Sequence, residues 1–351
     1  MSILVSLLVL SVLVFIHELG HFLAARITGV RVEVFSIGFG SKLFSKKIGQ
    51  TEYRLAAIPL GGYVKMKGQD DIDPLKKSFD NDSYNVKNPF QKIFILLAGP
   101  FANFFIAFIF YLIVAWSGSQ TLGTTIGEVL DNSPAKSAGL MKNDKIIMID
   151  GKNIKSWGEV GEYIQTTQGT VTIAIERNGA QQLVFLTPEY KTVKNIFGED
   201  IKRMMIGIAA SDELITINYG FIEGMDVALD QTIQASMLII KGVEKLITGV
   251  VSADNIGGVF SIVDYTAKAS EAGVATLLIF AALMSVNFGV LNLLPIPALD
   301  GGHIMFNLYE IITRKQPSEK ALYNLTIIGW MLLFGLMFLG LYNDINRLFI
   351  D

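Results

Sequence analysis

Two of the chain's three histidines stand in one pentapeptide, His17-Glu18-Leu19-Gly20-His21. On a helix, residues four apart share a face, so both imidazoles aim at a single point. The spacing His-Glu-x-x-His suits a divalent metal held by two ring nitrogens. The intervening Glu18 can then take a proton from a water at that metal. A chance match in a chain of this composition is roughly a one-in-a-thousand event. Hydrolytic zinc sites usually use three protein ligands. The chain has no cysteine, so a third ligand must be His, Asp or Glu. The segment Asn292-Leu293-Leu294-Pro295-Ile296-Pro297-Ala298-Leu299-Asp300-Gly301-Gly302-His303 places a carboxylate beside the remaining histidine.

The elements that must position these groups are apolar. Of 351 residues, 51% are hydrophobic and 17% charged, against about 25% charged in soluble domains; the mean hydropathy is +0.46. A net charge of −3 gives no basic footprint for nucleic acid. Four stretches are long enough to cross a bilayer, which takes about 20 apolar residues. They run approximately from Ile3 to Ile27, Ile93 to Trp116, Val274 to Leu294 and Tyr323 to Tyr342. The first could be a signal peptide. It lacks a basic start, however, and cleavage would endanger the metal motif.

Lys42, Lys46, Lys47, Arg54, Lys65, Lys67, Lys76, Lys77, Lys87 and Lys92 lie between spans one and two, and Arg314, Lys315 and Lys320 precede span four. The positive-inside rule predicts that both connections are cytoplasmic. Both termini and residues 117–271 then lie on the other side. His17 falls about 24 Å along span one, and span three uses up about 30 Å before Pro295 and Pro297 stop it. Both halves of the site thus reach a similar depth, toward the cytoplasmic side. Ionisable groups at such depth are expensive and usually functional.

Between spans one and two, residues 51–55 and 63–67 read as strands between glycine-marked turns, and residues 68–88 read as a surface loop. Span two contains Ala98-Gly99-Pro100 and Asn103; the asparagine reads as a residue that glues helices together. Residues 121–190 read as a small α+β module. It has strands at 126–129, 144–151, 171–175 and 182–186, helices at 133–140 and 157–166, and an Asn178-Gly179 hairpin turn. The order of its motifs resembles a PDZ domain, a module that adds peptide ends to a sheet edge. No second copy is visible. Residues 221–250 have helical period but carry Lys241, Glu244 and Lys245, which predicts a helix lying along the membrane surface.

His17-Glu18-x-x-His21 within a span, one PDZ-like module, and Asn292-x-x-Pro295-x-Pro297-x-Leu299-Asp300-Gly301 together resemble the site-2 protease family of intramembrane zinc metalloproteases. The resemblance is to bacterial members of the regulator of sigma-E protease type, and it covers nearly the whole chain. It implies that His17, His21 and Asp300 are zinc ligands and that Glu18 is the catalytic base. It associates Asn292 with substrate handling or transition-state support. It matches Gly61, Gly62 and Tyr63, continuing through Val64, Lys65 and Met66, to a membrane-associated β-element that pairs with substrate. By this resemblance the substrates are single-span membrane proteins such as pre-cleaved anti-sigma factors or signal-peptide remnants, and the location is the bacterial inner membrane. Many proteobacterial relatives carry two PDZ modules, so a filter built from two such modules is not implied here.

The expected architecture is a polytopic α-helical membrane protein of about four spans. Residues 1–116 form an N-terminal membrane half with a β-element at about 31–67. Residues 117–210 form an extracytoplasmic PDZ-like domain, 211–271 an interfacial helical linker, and 272–351 the C-terminal membrane half. His303 could orient Asp300, cap the helix after it, or replace it as ligand. Two other classes remain open on residues alone, a membrane scaffold presenting a PDZ module and a metal-ion transporter.

Overall fold

A computed structural model describes residues 2–69 and 78–349. The helices are α1 (Ser2–Ile27), α2 (Pro89–Ser117), α3 (Pro134–Ser137), α4 (Trp157–Thr166), α5 (Phe221–Ile247), α6 (Val259–Glu271), α7 (Val274–Asn292), α8 (Asp300–Thr313) and α9 (Glu319–Phe349). The strands of the membrane half are β1 (Val32–Ile48) and β2 (Thr51–Met66). Those of the central region are β3 (Ser119–Leu122), β4 (Ile126–Val129), β5 (Lys145–Ile149), β6 (Lys152–Asn153), β7 (Val171–Arg177), β8 (Ala180–Leu186), β9 (Glu189–Lys194), β10 (Asp200–Met205), β11 (Ile208–Ala210) and β12 (Leu214–Ile217). The chain divides into two compact units, residues 1–113, 225–244 and 252–351, and residues 114–224 and 245–251.

Among the described residues, four helices are long and apolar enough to cross a membrane: Ile3–Ile27, Pro89–Ser117, Val274–Asn292 and Glu319–Leu348. These are the four expected spans; the first has the expected ends, the third stops earlier at Asn292, and the second and fourth run longer, for reasons of local chemistry. The second starts at Pro89, because Asn88 and Gln91 cap each other's backbone N–H groups at 2.9 and 3.2 Å and Pro suits the first helical position. The fourth runs past Tyr342, because its polar end holds another segment in place. Asn343 donates to the carbonyls of Ala253 and Ile256 at 2.9 and 3.0 Å. Buried Asp344 accepts the Gly258, Phe260 and Ser261 N–H groups at the start of α6, at 2.9 to 3.1 Å.

The strands β1 and β2 fold back on themselves. Residues 34–37 lie between 52–55 on one side and 62–65 on the other, and residues 42–48 flank 51–56. The segment 62–66 is therefore an outer strand, and among the described residues nothing pairs with its far edge. Glu52 ties the sheet together, accepting from Arg54 at 2.6 Å and from Lys42 at 2.9 Å; these bonds hold its carboxyl down at about 2. The sheet packs through Val32, Phe35 and Met66 against Phe22 and Ala25 of α1 and Ile95 of α2. Of the expected loop 68–88, residues 70–77 lie outside the described residues; the rest includes a 3-10 turn at Tyr84–Val86.

Helix α5 differs from one that only rests on the bilayer surface. Its Ala228 and Ala235 are buried in one cluster with Ala107, Tyr111 and Leu112 of α2 and Ala282, Val286 and Val290 of α7. Small side chains permit such close packing beside membrane helices. Its Met225, Leu229, Ile233 and Met237 point away and are exposed. The charges that argued against a span occupy other positions on the same helix.

The second unit has a four-stranded sheet in the order β6-β5-β7-β8, with a core of Ile126, Ile146, Ile149, Val160, Ile173 and Ile175 among others. The Asn178-Gly179 turn joins β7 to β8 with both residues at positive φ, 52° and 79°, as a type I′ hairpin needs. The hairpin β9–β10 and the pairs β4–β11 and β3–β12 extend the fold beyond residue 190. Their strands are short, and those of the β9–β10 hairpin are rich in charge, so they carry little alternation to read. Asp144, only 1% exposed, accepts two bonds from Arg177 at 2.7 and 2.6 Å. Replacing Arg177 by Ala strands a buried carboxylate, and we expect about 3 kcal/mol of lost stability. Thermal melting of the full chain, followed by near-UV signals, checks this; an unchanged second-unit transition would contradict it.

Candidate metal centre

Helix α1 is continuous through the His-Glu-x-x-His segment, and its period does what the spacing predicts. His17 Nε2 and His21 Nε2 stand 3.1 Å apart. Asp300 Oδ2 lies 3.3 Å from the first and 3.4 Å from the second. These three residues form a group whose ligand atoms could hold one metal ion. Ligands at about 2.0–2.1 Å from a tetrahedral zinc stand about 3.3–3.4 Å apart. The observed triangle fits that edge length, and the donor set suits zinc.

Helix α2 supplies what holds the rings. The Ile95 carbonyl accepts from His21 Nδ1 at 2.8 Å. That bond fixes the proton on Nδ1 and turns the Nε2 lone pair toward Asp300. One turn on, Gly99 leaves room for the His21 ring, which a β-carbon would strike. One turn further, Asn103 Nδ2 lies 3.1 Å from His17 Nδ1. On α1 itself, Gly20 meets the α2 backbone, since a β-carbon there would collide with the Ala98 carbonyl. We expect Gly20→Val to push the helices apart and to lower zinc occupancy at least tenfold. Zinc content of the purified variant checks this, and wild-type occupancy would contradict it.

Asp300 arrives from the other half of the chain. Pro295 and Pro297 bar the helix from continuing, the chain turns, and Asp300 opens α8. Close approaches fix this turn. A β-carbon on Gly301 would strike the Leu293 and Leu294 carbonyls, and one on Gly302 would strike that of Ile296. From α9, Gly329 presses on Ala298, whose N would lie 2.7 Å from an added β-carbon. The carboxylate therefore sits on a turn gripped from two helices.

Other expected residues fall around this cluster. Glu18 follows His17 on α1, and its Cγ would lie 3.5 Å from a β-carbon placed on Gly62. The outer strand therefore runs past Glu18. Gly61 adopts φ 133°, and Tyr63 stacks on Phe39 at 6.1 Å and accepts from Arg54 at 3.3 Å. Lys65 faces Glu33 at 3.5 Å. Met66 is buried in the core and Val64 packs against it, so these two can offer a substrate their backbone but not their side chains. Asn292 ends α7 half-buried and is not one of the clustered ligands. His303 is also outside the cluster; its ring meets Phe306 edge-on at 6.0 Å. The sequence reading missed Asn103, Gly20, Gly99 and Gly329 as parts of the site. For Asn103 the available signal was a polar side chain two turns after Ile95 within a span.

A two-histidine, one-carboxylate cluster with a neighbouring glutamate, carried on helices long enough to cross a membrane, defines an integral membrane metallohydrolase. The chain belongs to peptidase family M50, whose sequence profile it matches over residues 5–336. It is 44% identical over 345 residues to a protein of Campylobacter jejuni named "Putative zinc metalloprotease", covering 98% of this chain and 93% of that one. A protein of the same name from Helicobacter pylori (strain J99) is 41% identical over 354 residues, covering 98% and 99%. One from Rickettsia conorii is 36% identical over 366 residues, covering 99% of each. The protein is thus a zinc metalloprotease. Among solved structures, the PDZ domain of an SdrC-like protein from Listeria monocytogenes is 27% identical, covering 26% of this chain and 88% of that one at a TM-score of 0.21.

Proposed function

We propose that this metalloprotease cuts peptide bonds within the membrane-spanning segments of single-span proteins, such as pre-cleaved anti-sigma factors or signal-peptide remnants. The observation that carries the reading is the position of the ligand cluster. His17 and His21 lie inside one apolar span, and Asp300 follows another. A substrate that reaches such a centre is itself at membrane depth.

When bound by His17, His21 and Asp300, zinc supplies a Lewis acid and an acidified water. Glu18 accepts a proton from that water and returns it to the amine nitrogen as the peptide bond breaks. The Ile95 carbonyl holds the His21 proton on Nδ1 and keeps Nε2 aimed at the cluster. A helical substrate keeps its carbonyls hydrogen-bonded within itself and must unwind first. The free edge of residues 62–66 offers the freed backbone new partners, beside Glu18. By the charge placement noted above, the site lies toward the cytoplasmic side of the bacterial inner membrane, with both termini and the PDZ-like unit across it. That unit would exclude bulky uncut substrates or sense a newly made end.

The test is cleavage of a model single-span substrate by the full chain in vesicles, with product ends read by mass spectrometry. Cuts inside the apolar segment are expected; cuts confined to its flanks would overturn the reading. A proline scan over residues 63–65 addresses the strand edge. Prolines whose lost N–H faced the free edge should slow cleavage about tenfold with zinc content unchanged. Unaltered cleavage across the scan would remove strand pairing from the account.

A further inference from the structure

The geometry points to Asn103 as the positioning residue that makes His17 a metal ligand, by fixing the proton on His17 Nδ1. This rests on the metalloprotease reading and assigns a role within that site. A histidine can bind metal through Nε2 only if Nε2 carries a lone pair, which puts the ring's proton on Nδ1. That N–H then needs an acceptor. For His21 the acceptor is the Ile95 carbonyl. For His17, Nε2 faces Asp300 and His21, and the group at Nδ1 is the Asn103 amide, 3.1 Å away.

Asn103 is fully buried, and its Oδ1 has no hydrogen-bond partner. As placed, the amide NH2 faces His17 Nδ1. That arrangement makes Nδ1 the acceptor and leaves the ring proton on Nε2, in the place a metal would need. The oxygen and nitrogen of an amide are exchanged by a half-turn. The half-turn brings the unpartnered Oδ1 against Nδ1, where it accepts the N–H and leaves Nε2 free to ligate. No other acceptor for His17 Nδ1 is present among the described residues. A buried acceptor left without a donor is costly, so the two groups suit each other.

The position is built for this. Ile95, Gly99 and Asn103 follow at four-residue spacing on α2, so one helix face serves both imidazoles. The backbone of Asn103 is held from the opposite side, where Ser285 Oγ of α7 donates to its carbonyl at 2.8 Å. That contact ties the amide to the helix that leads to Asp300. A packing role alone would need only the volume of the side chain; this role needs its oxygen.

The test compares Asn103→Leu, which keeps the volume and loses the acceptor, with Asn103→Asp, which keeps an oxygen. Full-length protein in detergent is stripped of metal and titrated with Zn2+ against a chelating dye. Asn103→Leu should bind zinc 10- to 100-fold more weakly, the loss typical when the group orienting a ligand histidine is removed. Asn103→Asp should stay within about threefold of wild type. With three histidines in the chain, 15N spectra of histidine-labelled, zinc-loaded wild type should show His17 protonated at Nδ1. Wild-type affinity in Asn103→Leu would overturn the inference. So would equal weakness of both variants, which marks a purely structural role, or a His17 proton found on Nε2. If wild type itself takes up no zinc, the metal assignment fails instead, and that result is distinct from either variant's behaviour.

Discussion

Glu18→Gln will retain zinc at the wild-type level and cleave its substrate 10²- to 10⁴-fold more slowly, the range that a positioned general acid–base contributes. Glutamine keeps the shape and hydrogen-bonding reach of glutamate but cannot take up the proton. The structure gives reasons for both halves of this outcome. Glu18 is not one of the three clustered ligands, so its charge is not needed to hold the ion. It follows His17 directly on α1, and its side chain meets the outer strand at Gly62. Zinc analysis and initial cleavage rates on the same preparation check the claim. Cleavage within threefold of wild type would remove Glu18 from the chemistry and favour a membrane scaffold that presents its soluble unit.

Asp300→Asn will bind zinc about 10²- to 10³-fold more weakly and will lose cleavage with it, whereas His303→Ala will keep both. A structural zinc site is worth about 10–16 kcal/mol over four ligands, so a single ligand's share is a few kcal/mol. Asp300 Oδ2 stands 3.3 and 3.4 Å from the two ring nitrogens, and nothing else in the cluster is anionic. With the charge gone, two neutral imidazoles and an amide must hold a dication. His303 sits three residues on along α8, with its ring against Phe306. Equilibrium titration of both variants decides between the two residues. Loss of zinc from His303→Ala, with Asp300→Asn unaffected, would transfer the ligand role.

The clustered residues were legible because each lies in a pattern with its own geometry. Residues 17 and 21 needed only helical period; a span that ended at two prolines brought Asp300 and His303 to the same depth, and the choice of Asp300 came from the family resemblance. What escaped the reading depends on pairs of residues far apart in sequence. Gly20 and Gly99 look like ordinary small residues until α1 and α2 are placed side by side. Asn103 was read as glue between helices, and it does bond across helices; that its partner is His17 requires the register of two spans. The edge at residues 62–66 was anticipated, but the order of the sheet was not, since residues 34–37 take partners from two parts of one strand. Helix α5 is not among the helices apolar enough to cross a membrane, as its charges suggested, but its packing through Ala228 and Ala235 on one face was not visible from those charges. The sheet of the second unit was readable from turn chemistry at Asp150-Gly151 and Asn178-Gly179. The hairpin of β9 and β10 was not, because its strands are short and largely polar.

X-ray absorption at the zinc edge tests the centre most directly, on full-length protein loaded with one equivalent of the metal. Two imidazole nitrogens and one carboxylate oxygen should appear at about 2.0–2.2 Å, and the signal of one imidazole should vanish in His21→Ala. A spectrum with no imidazole scattering, or one unchanged by that substitution, would show that residues 17, 21 and 300 do not share an ion.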